Sequence, residues 1–144
     1  MKDNDMSRVV VPASIESLED LYQVQRGQLT VDQVRRVEVK EALVDTGATG
    51  LSMPASMIRQ LGLLPMRTRK AITTSGVREV ATYGAVKLNI QDRDCVCDVT
   101  EVAEECPVLI GQVPLELMDY IVDPGRRQLI GNPAHGGQQL LELM

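Results

Sequence analysis

An all-β fold, a barrel or sandwich of many short strands with one or two short helices, is predicted by three observations. Apolar residues come in short, Val-rich runs with no sustained helical period. Turn signals such as Asp45-Thr46-Gly47, Ser75-Gly76 and Asp123-Pro124-Gly125 interrupt those runs repeatedly. Helix signals are few and short: residues 54–62 carry Pro54 at the start and Gly62 at the close, and only the ambiguous stretch 14–27 offers a second candidate.

Taken in order, Val9-Val10-Val11 reads as a first strand. Residues 14–27 are read as a helix on the spacing of Ile15, Leu18, Leu21 and Tyr22, with Ser14 or Ser17 as cap and Gly27 as terminator. A hairpin with a long turn is the alternative there. Val34, Val37 and Val39 lead into Ala42-Leu43-Val44, stopped by Asp45-Thr46-Gly47. In the helix over 54–62, Ile58 and Leu61 form the apolar face. Strands around 71–74 and 77–83 flank Ser75-Gly76 as a hairpin, and 85–90 and 95–102 flank a turn at 91–94. Val108-Leu109-Ile110 is a buried run closed by Gly111, residues 114–118 suit a helical turn, and 120–122 and 128–130 flank Asp123-Pro124-Gly125.

The chain has 144 residues, which suggests a single domain. Its expected parts are a lead-in over 1–33, a core over 34–132 and a tail over 133–144. It has no Phe and no Trp, so Val, Leu, Ile and Met must build the core. A formal net charge of -5 argues against nucleic acid or anionic lipid as partner. No apolar stretch approaches the ~20 residues of a membrane span. The N-terminal residues lack the apolar region of a signal peptide, so a cytoplasmic location is expected. The odd count of three cysteines argues against a disulfide framework. Cys95, Cys97 and Cys106 are read as reduced thiols, and the only histidine, His135, lies too far along the chain for a zinc site. No metal and no cofactor are expected.

The chemistry concentrates in Leu43-Val44-Asp45-Thr46-Gly47-Ala48-Thr49. A strand of bulky residues delivers a carboxylate to a tight turn. Gly47 is expected to supply dihedrals that other residues resist and to aim its N–H at the carboxylate. A single carboxylate is a poor peptidase. Two that share one proton supply both a base for water and an acid for the amide, since like charges about 3 Å apart cannot both ionise. The chain carries one Asp-Thr-Gly, so the second carboxylate would have to come from another copy across a two-fold axis.

The sequence resembles the retropepsin-like (retroviral-type) aspartic proteases, in particular their soluble bacterial members. Four features carry the likeness in order from about Val34 to about Asn132: Ala42-Leu43-Val44-Asp45-Thr46-Gly47-Ala48, the helix ending in Leu61-Gly62-Leu63, the hairpin at Thr73-Thr74-Ser75-Gly76-Val77, and Val108-Leu109-Ile110-Gly111. The resemblance implies the closed acid-protease barrel, one lobe per chain, working as a homodimer on peptide or protein substrate. It implies Asp45 as the catalytic carboxylate, Thr46 as the residue that ties the two loops of the dyad, and Gly47 as a contact to carboxylate and substrate. Ala48 and Thr49 would line the cleft floor and Leu109 a subsite wall. Thr74, Ser75, Gly76 and Val77 would form the flap. Ala48 stands where the two-lobed, pepsin-like relatives usually have a serine that bonds the carboxylate, so activity nearer neutral is expected. Gln112 stands where retroviral members usually have arginine.

Competing readings are weaker. Asp45 by itself could be a turn residue after a buried strand. Ser52 lacks the Gly-x-Ser-x-Gly elbow of a serine hydrolase. A cysteine hydrolase would need His135, which is read as a solvated loop residue. A dimeric peptide-binding or assembly module of the same fold, without turnover, is the alternative of a different class.

Overall fold

The computed structural model describes residues 8–143. The strands are β1 (Val9–Ser17), β2 (Arg36–Val44), β3 (Leu51–Pro54), β4 (Leu64–Thr73), β5 (Gly76–Ile90), β6 (Arg93–Val102), β7 (Leu109–Ile110), β8 (Tyr120–Asp123) and β9 (Gln128–Gly131). Three short α-helices, α1 (Leu18–Gln25), α2 (Ala55–Gln60) and α3 (Gln112–Met118), lie between them where one or two were expected, with 3-10 turns at Val31–Gln33 and Pro133–His135.

Strands β1 to β7 form one sheet in the order β1-β2-β7-β3-β6-β5-β4, and β1 pairs a second time with β5. That second pairing closes six strands into a ring, so the expected all-β closed barrel is what the chain forms. Closure removes the open edges that an isolated sheet would expose. Strand β4 stays outside the ring as the arm of a long hairpin with β5, its pairing running from Leu64↔Gly84 to Thr73↔Gly76. Strands β8 and β9 form a separate two-stranded sheet.

The first strand is longer than its Val-rich start suggested. It continues through Ala13, Ile15 and Ser17, which are buried in alternation. Ile15 sits opposite Val37 of β2 and Leu88 of β5. Two flanking partners, absent from the local sequence, override the helical spacing of residues 14–27, and the helix begins only at Leu18. Ser17 is its cap, the Asp20 N–H donating to Ser17 Oγ at 3.2 Å. Pro12, which has no N–H to give a ladder, lies where the β1–β2 register shifts between Val11 and Ala13.

Inside the ring the core is aliphatic. Ile15, Leu51, Met53, Leu88, Ile110, Leu115 and Met118 are almost fully buried, each contributing about 1.5–3 kcal/mol. Helix α2 lays Ile58 onto this core, joined by Leu61 just past its end, and Gly62 closes it at φ +66°, as its punctuation predicted. The buried Tyr120 donates its hydroxyl to the Ile90 carbonyl at 2.9 Å.

Two polar clusters fasten the periphery. Asp20, 2% exposed, accepts from Arg35 N at 2.9 Å, Nε at 2.8 Å and Nη2 at 2.8 Å, joining α1 to the approach to β2. At the other end Asp119, in the left-handed region at φ +61°, meets His135 Nδ1 at 2.6 Å and accepts from Asn132 Nδ2 at 3.2 Å and Leu140 N at 3.1 Å. His135 Nε2 meets Glu142 at 3.0 Å. The side chain of His135 is only 18% exposed, so the reading of it as a solvated loop residue is corrected: it clasps the tail to the end of α3.

Candidate active site

The loop after β2 is held on three sides by backbone. Strand β2 runs parallel to β7, Leu43 beside Leu109 and Val44 beside Ile110. The Leu43 N–H donates to Val108 O at 2.8 Å and the Asp45 N–H to Ile110 O at 3.0 Å. The chain then turns, with Ala48 N donating to Asp45 O at 3.0 Å and Gly47 N to Asp45 Oδ1 at 2.9 Å. From the far side the first turn of α3 closes the clamp. Its N–H groups have no partner within the helix, and those of Gln112 and Val113 donate to Ala48 O at 2.9 Å and Thr49 O at 2.8 Å.

Two glycines permit this geometry. At Gly111 a Cβ would stand 2.6 Å from the Thr49 carbonyl carbon and 2.7 Å from the oxygens of Ala48 and Gly50, so no side chain fits. Gly47 corrects an expectation, since it is not among the residues at positive φ. A Cβ there would lie 3.2 Å from Asp45 Oδ1. Close approach to the carboxylate, and not unusual dihedrals, is what the position asks of glycine.

Asp45, Thr46, Gly47 and Thr49 are exposed and Ala48 is half-buried. Leu109, half-buried on β7, lies between Leu43 and Ser52. These residues form one group. The second group sits at the tip of the β4–β5 hairpin. Thr74 and Ser75 make its turn, Gly76 takes φ +112°, and Val77 faces Ile72 across the strands. Thr73 organises the tip by accepting from Ser75 N at 3.2 Å and donating to Gly76 O at 2.8 Å. Val77 and Ile72 are 67% and 90% exposed, an apolar tip with nothing of its own chain to cover it.

Beneath the hairpin lies a cavity of about 450 Å³ lined by Thr74, Ser75, Arg78, Glu101, Ala103 and Cys106 among others, and not by the Asp45 loop. Its far wall, from the end of β6 to Cys106, was missed from the sequence. That wall is pinned to α2 by Glu104, which accepts from Ser56 N and Ser56 Oγ, each at 2.7 Å. Those bonds hold the Glu104 carboxyl below its ordinary range. The clamp from Gln112 and Val113 was missed as well. Both rest on contacts between distant segments, and only the apolar-apolar-Gly run before α3 hinted at the second.

Among the described residues no group of three or more His, Cys, Asp and Glu side chains is placed to hold a metal ion. No described helix is long and apolar enough to cross a membrane. Cys95 and Cys97 interact on one face of β6, and the hydrogen bond between them together with burial pushes the Cys97 thiol up.

No curated protein sequence matches the chain. It is similar to the protein described as "Solution structure of Simian Foamy Virus (mac) protease", at 16% identity over 74% of this chain and 91% of that chain, with a TM-score of 0.45. The model of the family described as "gag-polyprotein putative aspartyl protease" matches residues 33–116. That span is more than half of the chain and holds the Asp45 loop, α2, the β4–β5 hairpin and Leu109-Ile110-Gly111. The chain therefore belongs to the gag-polyprotein aspartyl protease family.

Proposed function

We propose that the chain is an aspartic endopeptidase whose active site forms when two copies bring Asp45 against Asp45 of the other. The observation that carries this reading is the exposed Asp45 carboxylate. One of its oxygens takes the Gly47 N–H, and its loop is fixed by hydrogen bonds from β7 and α3. Such a loop holds a reacting group in place without reorganisation. In the dimer one carboxylate, ionised, takes a proton from water, while the other, protonated, donates to the scissile carbonyl oxygen. The water oxygen bonds to the carbonyl carbon, and the resulting diol collapses with cleavage of the C–N bond as the carboxyl that took the water proton passes it to the leaving amine.

Thr46 would cross-link the two loops, and Gly47, Ala48, Thr49 and Leu109 would contact an extended peptide. The β4–β5 tip, Thr74 to Val77, would close over it and exclude water. Its exposed Ile72 and Val77 suit a surface that becomes covered by substrate or by the second copy. The peptide would lie as an added strand with alternate side chains in pockets.

Cleavage of a diverse peptide pool, read by mass spectrometry from about pH 4 to about pH 7.5, tests the proposal with wild type beside Asp45→Asn. Cuts made by wild type and lost by at least roughly a thousandfold in the variant are expected. A folded protein that makes no cuts at any pH would move the reading to the silent peptide-binding module. A strict monomer in sedimentation at micromolar concentration would remove the two-copy dyad.

A further inference from the structure

We propose that the cavity beneath the β4–β5 hairpin is a subsite for a basic side chain, with Glu101 as the residue that selects it. The inference rests on the reading of the chain as a protease that binds extended peptide, and adds to it the substrate class.

Glu101 stands near the end of β6, half-buried, on the cavity wall. The Tyr83 hydroxyl donates to its Oε1 at 2.8 Å. That bond, with burial, pushes the Tyr83 phenol up, so Tyr83 stays a donor and fixes the carboxylate's orientation. Oε2 has no hydrogen-bond partner among the described residues, and so offers a preset acceptor for an incoming donor. A carboxylate already held in place loses little freedom when it binds.

The other charges at the cavity are Arg78 and Glu79, neighbours in sequence on β5 and both exposed. One cation and two carboxylates leave the lining net negative. Glu79 stands directly opposite Lys70 across the hairpin, and Arg78, its neighbour on the strand, points to the other face, is exposed and is screened by salt. The half-buried Glu101 is screened least and sets the sign of the wall. Arg59, which acts on Tyr83 from α2, does not line the cavity. Thr74, Ala103 and Cys106 are small and uncharged, and about 450 Å³ leaves room for a lysine or arginine side chain. The ammonium or guanidinium would donate to Oε2, a charge-assisted bond stronger than a neutral one.

The test uses the full-length Asp45→Asn protein and sets of peptides identical except for Lys, norleucine or Glu at each position in turn, with affinity measured by calorimetry. At one position Lys should bind about tenfold tighter than norleucine. Glu101→Gln keeps an acceptor for Tyr83 but removes the charge, and there the Lys-to-norleucine ratio should fall to near one. In the protein with Glu101 intact the same ratio should shrink as salt is raised, a check that holds even if the variant folds poorly. Preference for Glu would show that Arg78 governs the cavity and overturn the proposal. Equal affinities, or no peptide binding at all, would overturn it too. Wild-type cleavage of the same peptides separates the two readings. Cuts without a Lys preference sink only this inference, while a Lys preference without cuts sinks only the protease.

Discussion

At the residue scale the site depends on backbone approach more than on side chains. Gly111 stands against the carbonyls of Ala48, Thr49 and Gly50, with 2.6 Å available where a methyl would need more than 3 Å. Gly111→Ala should therefore push the Asp45 loop and α3 apart. A loss of about 2–3 kcal/mol is expected in urea unfolding, with activity falling further than stability because the loop moves. A second residue points the other way. Thr82 is 2% exposed, and its hydroxyl has no hydrogen-bond partner among the described residues. Thr82→Val keeps the shape and removes the desolvated oxygen, and should raise stability by about 1 kcal/mol, seen as a higher urea midpoint at unchanged slope.

At the scale of elements, a charge pair ties α1 to the segment that leads into β2. The polar face of the helix is otherwise solvated, and Asp20 is its buried residue. Asp20→Asn keeps the volume but sets an amide against the Arg35 guanidinium. With Arg35 45% exposed, the cost after screening is about 1–2 kcal/mol. Hydrogen bonding from Arg35 holds the Asp20 carboxyl below its ordinary 3.8. A depressed carboxyl stabilises the fold above its unfolded value and loses that contribution as pH falls through the folded one. Wild type should therefore lose more stability below about pH 4 than Asp20→Asn does, and acid unfolding of the pair would show it.

At the scale of the whole molecule, the tail closes on α3 through His135, and both partners titrate. The hydrogen bonds of Asp119 and Glu142 raise His135 above 6.5, while His135 and the Leu140 N–H hold Asp119 below 3.8. The raised histidine stabilises the clasp below about 6.5, and that contribution is lost as pH rises through its folded value. The depressed aspartate stabilises it above about 3.8, and that contribution is lost as pH falls. The clasp should be tightest between those limits. Once corrected for intrinsic rate, hydrogen exchange at Leu140 should be slowest there and faster at alkaline pH, and His135→Ala should abolish the difference.

The sequence by itself determined the punctuation and where the candidate site lies. Asp45-Thr46-Gly47, the helix closed by Gly62, the Ser75-Gly76 hairpin and Leu109-Ile110-Gly111 were all legible, because each is a local pattern of turn residues and apolar runs whose backbone preference needs no distant partner. Tertiary structure decided the rest. Residues 14–17 are strand because β2 and β5 flank them, and six strands close into a ring because β1 reaches β5. Gly47 serves close approach because a carboxylate sits 3.2 Å from where its Cβ would be. His135 is a clasp because α3 ends at Asp119. Glu101 became a candidate only when β5 brought Tyr83 to it and the hairpin roofed it over. Sheet partners and cavity walls come from residues far apart in the chain, and a short stretch of sequence carries no record of what will lie beside it.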